Sequence, residues 1–104
     1  MPLPFTPAGS IPAALLPFTP DLAIDEAALR SHINDLARIR GVTAVAVNGH
    51  ASEVASCTFD EQVRVLALSA TAAGDRVPLV AGVYTESSLE AERIARMADR
   101  EGAS

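Results

Sequence analysis

Six consecutive residues, Asn48-Gly49-His50-Ala51-Ser52-Glu53, gather an amide, an imidazole, a hydroxyl and a carboxylate around one glycine. An imidazole titrates near neutrality, so His50 can bind a carboxylate or carry a proton. The bland reading is a solvated loop in which Glu53 bonds backbone amides. Elsewhere the chemistry-bearing residues are isolated. His32 has no Cys or His at metal-ligand spacing and reads as a surface or boundary histidine. Cys57 precedes a helix start whose amide dipole could lower a thiol pKa, but a buried or semi-buried spectator cysteine is the favoured reading. Ser52 is not in a G-x-S-x-G elbow, and no G-x-G-x-x-G or phosphate loop is present. Tyr84, the only tyrosine, either meets a ligand or caps a strand with its hydroxyl in water.

These residues need a scaffold, and the hydropathy pattern supplies one. Three short apolar runs, Ile11–Leu16, Val42–Val47 and Val77–Val83, read as strands covered on both faces. Between and after them lie stretches with helical spacing: Leu29, Ile33 and Leu36; Phe59, Val63, Leu66 and Ala70; Leu89, Ile94, Met97 and Ala98. Asp25 is placed to cap the first helix. Thr58 with Glu61, and Ser87 with Glu90, have the spacing of reciprocal capping boxes. Gly41, Gly74 and Gly102 stand where the three helices should end. The order is therefore βαβαβα in units of roughly 30 residues, the pattern of a parallel sheet with right-handed crossovers. Residues 1–10, with three prolines, read as an extended arm, and 11–104 as the folded domain. Chemistry in such folds gathers beyond the carboxyl ends of the strands, here in loops 17–24, 48–57 and 84–86. The middle loop is the longest and most polar.

Composition bounds the function. The 104 residues contain no lysine, eight arginines and thirteen Asp and Glu, a net charge of −5. An acidic chain with scattered arginines lacks the basic stripe that binds nucleic acid. A lysine Schiff base and a phosphate-loop lysine are both outside its own means. Hydrophobic residues make up 49% and charged ones 20%, which favours a folded core over disorder. One cysteine allows no internal disulfide. The start shows no signal peptide and no run reaches the length of a membrane span, so a soluble cytoplasmic protein without membrane contact is expected. No metal or cofactor is expected.

The ordered set of local matches resembles the amino-terminal part of the dihydrodipicolinate synthase and N-acetylneuraminate lyase superfamily. Gly9-Ser10-Ile11-Pro12-Ala13 with Leu16-Pro17-Phe18 is similar to its first strand, and Ile24-Asp25 to its first helix start. Gly41-Val42-Thr43-Ala44-Val45 resembles the second strand, and Asn48 to Glu53 falls on the family's Gly-Thr-Thr-Gly-Glu loop. Thr58-Phe59-Asp60-Glu61 fits the entry to helix two, Val77 to Val83 the third strand, and Ala98 to Ala103 the end of helix three. The resemblance implies a Schiff-base aldolase on a (β/α)8 barrel, of which this chain supplies three βα units, an α/β parallel sheet and an incomplete barrel. In the family the paired threonines hold the carboxylate of a 2-oxo acid. Here His50 and Ala51 stand in their places, Ser52 replaces the following glycine, and Gly49 and Glu53 are retained. That implies a divergent branch in which Gly49, His50, Ala51 and Ser52 bind substrate.

A barrel of this kind takes roughly 250 residues. The family's catalytic tyrosine and its lysine, which forms an imine with pyruvate or a related oxo acid, follow later strands. These 104 residues alone are expected to be inactive, with no catalytic residue of their own. The intact parent is expected to act on a small 2-oxo acid, and a homo-oligomer is compatible with the resemblance. Two other readings stand beside it: a stand-alone α/β binding module, whose exposed sheet edges would need covering, and an independent enzyme working through His50 and Glu53, with no third group visible to orient them.

Overall fold

The computed structural model describes residues 4–104; the first three residues of the expected extended arm lie outside them. Five regular elements follow in order: α1 (Glu26–Arg38), β1 (Val45–Val47), α2 (Phe59–Ala73), β2 (Leu79–Ala81) and α3 (Ser88–Glu101). The two strands pair in parallel, Val45 opposite Leu79 and Val47 opposite Ala81, joined through α2.

The first expected strand is present as pairing rather than as a regular strand. Ser10 bridges Val42 and Ala13 bridges Ala46, both in parallel, and the register slips by one residue between them. Pro12 lies between the two bridges: it has no N–H to donate, although its carbonyl still accepts from the Ala46 amide at 2.9 Å. The second and third strands are likewise shorter than their apolar runs, at three residues each.

The helices begin and end by local chemistry. Asp25 accepts from the Ala28 amide at 3.0 Å. Thr58 and Glu61 form the full reciprocal capping box, at 3.1 and 2.9 Å. The second box is only half made. Ser87 accepts from the Glu90 amide, but the Glu90 carboxylate turns to Arg93 at 2.8 Å instead. Gly74 and Gly102 cap α2 and α3 at positive φ. Gly41 does not cap α1: the helix stops at Arg38 on an extended Ile39, and Gly41 turns the chain further on, at φ +93°.

All three helices pack on one face of the sheet. Ala14, Leu16, Val45, Val47 and Leu79 meet Leu29, Ile33, Val65, Leu66, Ile94 and Met97 in a single core. Within the described residues the helices cover one face of the strands. The opposite face carries exposed Ala13, Leu15 at 61% exposure, and half-buried Ala46 and Val80. Between helices, the Arg64 guanidinium grips the Glu26 carboxylate with two bonds of 2.8 and 2.7 Å, tying α2 to α1. Arg93 lies 3.6 Å from the Phe59 ring centroid, tying α3 to the start of α2. Among the described residues no helix is long and apolar enough to cross a membrane.

Candidate carboxylate-binding loop

Beyond β1 the chain turns sharply at Asn48, which adopts a left-handed conformation at φ +56° and is 1% exposed. Asparagine is among the few side chains that enter this region readily. Its Nδ2 donates to the Gln62 carbonyl at 3.1 Å, fixing the turn to α2. The following segment is two short 3₁₀ turns, His50–Ser52 and Val54–Ser56, hinged at left-handed Glu53. Ser52 and Val54 amides both donate to the Gly49 carbonyl, at 3.1 and 3.3 Å, closing the first turn.

The four loop residues have different surroundings. Ser52 is buried, and its hydroxyl donates to the Ala14 carbonyl at 2.6 Å, which fastens the loop to the first paired segment. His50 and Ala51 are exposed. Their amides donate to no backbone carbonyl among the described residues, so two N–H groups remain to meet an anion. Gly49 is extended, and a β-carbon there would meet nothing within 4 Å. Exposed Glu53 aims its amide back at the His50 carbonyl, 3.0 Å away.

The position that does demand glycine is Gly82, at the end of β2. A β-carbon there would lie 2.2 Å from the Asn48 carbonyl oxygen. Its amide donates to the Val47 carbonyl at 2.8 Å, which keeps the two strand ends in register. Two residues later Tyr84 leaves the strand and meets His50: the ring centroids are 5.7 Å apart and the planes 74° inclined, an edge-to-face pair. Thr85 Oγ1 accepts from the Ser87 amide at 3.1 Å, and Ser87 caps α3, so the turn carrying Tyr84 is fastened. An open cleft of about 690 Å³ lies along Val83–Ser87. A smaller cavity of about 260 Å³, lined by Gly74, Val77, Pro78 and Arg100, sits at the opposite end of β2, away from both loops.

The other isolated residues have structural surroundings. His32 Nε2 accepts the Leu15 amide at 3.0 Å. Cys57 is half-buried, and its thiol pKa is raised above the ordinary 9.0, chiefly by burial and then by the Glu61 and Glu53 carboxylates. This environment agrees with the spectator reading of Cys57. The Gly82 requirement had a signal in the sequence, a glycine closing an apolar run. The partnership of Tyr84 with His50 had none, because the two residues are 34 positions apart and meet only through strand pairing.

Three βα units around one face of a parallel sheet, with the polar loop beyond the strand ends, define an α/β chain of the (β/α)8-barrel kind. The pattern of the Dihydrodipicolinate synthetase family matches residues 6–104, and the chain belongs to that family. It is 38% identical over 95 residues to the 4-hydroxy-tetrahydrodipicolinate synthase of Methanothermobacter thermautotrophicus, covering 91% of this chain and 33% of that protein. Among solved structures, a dihydrodipicolinate synthase family protein from Coccidioides immitis superposes with a TM-score of 0.88 at 26% identity. The overlap takes in 96% of this chain and 33% of that one. The N-acetylneuraminate lyase of Mycoplasma synoviae gives 0.80 at 27% identity, over 89% and 32%. The chain thus spans about a third of the length of the relatives it matches.

Proposed function

We propose that these residues form the carboxylate-holding side of a Schiff-base aldolase pocket that acts on pyruvate-like 2-oxo acids. The observation that carries the reading is the pair of exposed residues His50 and Ala51, in the family's loop beyond β1, with amides free of backbone acceptors. Two neighbouring N–H groups and an imidazole suit a carboxylate, since hydrogen bonds to a charged acceptor are the stronger ones. Gly49 and Ser52 shape the loop, Ser52 through its bond to Ala14. The amine that attacks the ketone must come from outside residues 1–104, which hold no lysine. The bound carboxylate fixes C2 of the oxo acid for that attack, and the carbonyl oxygen leaves as water.

In this reading residues 11–104 act as one barrel portion with 1–10 as an arm, in a cytoplasmic homo-oligomer. A chimera tests the function. Residues 1–104 replace the matching third of the Methanothermobacter thermautotrophicus protein, and borohydride then traps any lysine–pyruvate adduct, read by mass spectrometry. A trapped adduct that is lost in the His50→Ala, Ala51→Pro double variant is expected. A folded chimera that traps nothing overturns the proposal.

A further inference from the structure

The His50 imidazole reaches from an exposed loop and receives no hydrogen bond among the described residues. A free histidine ring samples several rotamers, and each one not facing the ligand weakens binding. The ring contact that limits it is Tyr84, edge to face at 5.7 Å. Tyr84 is itself well held. It follows directly on Val83 and Gly82, and Gly82 is bonded to Val47 and pressed against Asn48. On its other side Thr85 and Ser87 fix the turn into α3, and Arg93 on Phe59 seats that helix. Tyr84 is 51% exposed, so it contributes little to the core.

From this arrangement we infer that Tyr84 is the positioning residue of the carboxylate site, fixing the orientation of the His50 ring in the loop whose His50 and Ala51 amides are free of backbone acceptors. The inference rests on the proposed function and adds to it the third group that orients the histidine. It assigns Tyr84 no contact with substrate. An edge-to-face pair contributes enough to change an affinity roughly two- to tenfold when one ring is removed.

The test is an NMR titration of the isotope-labelled 104-residue chain with pyruvate, and with pyruvamide as the uncharged control. In the wild-type chain pyruvate shifts the His50 and Ala51 amides and pyruvamide does not. The His50 ring protons carry a ring-current displacement before any ligand is added. Tyr84→Phe keeps both the displacement and the affinity. Tyr84→Ala abolishes the displacement and weakens pyruvate roughly two- to tenfold. In a His50→Ala background the same Tyr84→Ala change has no further effect, which a purely structural role would not produce. Unchanged ring signals or unchanged pyruvate affinity in Tyr84→Ala overturns the inference and leaves the loop reading standing. Pyruvate that fails to shift the wild-type His50 and Ala51 amides overturns the loop reading, and the inference with it.

Discussion

Gly82 and Asn48 touch through their backbones: a β-carbon on the glycine would stand 2.2 Å from the asparagine carbonyl oxygen and 2.7 Å from its carbon. Neither atom is the movable end of a side chain, and Asn48 is held by Gln62 and by its left-handed turn. Gly82→Ala must therefore push the two strand ends apart. We expect a loss of about 1–3 kcal/mol, the usual cost of overpacking, measured by urea unfolding. The His50–Tyr84 ring contact should weaken in the same variant. A Gly82→Ala chain as stable as wild type, with its ring-current shifts intact, would contradict the close approach.

Ser52 gives a second stability test. Its hydroxyl is buried and bonded to the Ala14 carbonyl at 2.6 Å. Ser52→Ala leaves that carbonyl without its donor and should cost about 1–3 kcal/mol. Ser52→Thr keeps the hydroxyl, and Ser52→Gly does not. Hydrogen exchange of the residue 49–56 amides reports whether the loop loosens first, as the fastening role requires.

Glu26 carries a pH signature. The hydrogen bond from Arg64, with added attraction from Arg64 and Arg30, holds its carboxyl below the ordinary 4.5. A lowered carboxyl pKa means the folded chain holds that proton less tightly than the unfolded chain. Its stabilisation is present above the ordinary value and is lost as pH falls through the lowered one. Wild type should be more stable than Glu26→Gln at pH 6, and the gap should close on acidification below Glu26's lowered pKa. Salt should narrow the gap as well, because the pair is partly exposed. Urea midpoints across that range decide it, and a gap that stays constant with pH would rule the ion pair out as its source.

Cys57 should be a slow thiol. With its pKa raised by burial and by the carboxylates of Glu61 and Glu53, less thiolate is present at neutral pH than for a free cysteine, and thiolate is the reacting form. Alkylation by iodoacetamide is expected to run slower than on a model peptide, with its pH midpoint above 9.0. Glu61→Gln, which can still complete the capping box, should move that midpoint downward. Faster-than-peptide alkylation at neutral pH would refute the assignment.

The order of elements was legible because each rule involved is local. Helical spacing placed α1, α2 and α3, and Asp25, Thr58 and Ser87 cap where their types and spacing said. Where a second group competed, local rules failed: Glu90 chose Arg93 over its cap, and Ile39 ended α1 before Gly41. Pro12 removed a ladder donor that the apolar run Ile11–Leu16 had hidden. Of the site, the polar loop was readable but its division of labour was not. Buried Ser52 and exposed His50 differ only through tertiary packing, and left-handed Glu53 follows no propensity. The pairing of His50 with Tyr84 required the parallel register of β1 and β2.

The bond between His32 and Leu15 has a further consequence. Successive amides of an extended chain point to opposite sides, and the Ala14 amide already faces Ala46. The Leu15 amide therefore points outward, and the imidazole of His32 occupies its acceptor position at 3.0 Å. Any further strand docking along residues 11–16 must compete with that ring for the same hydrogen. The histidine thus covers a backbone donor on the open side of residues 11–16. An unpaired donor of this kind is what a sheet edge offers to a further strand, and here it is satisfied from α1 within the chain itself.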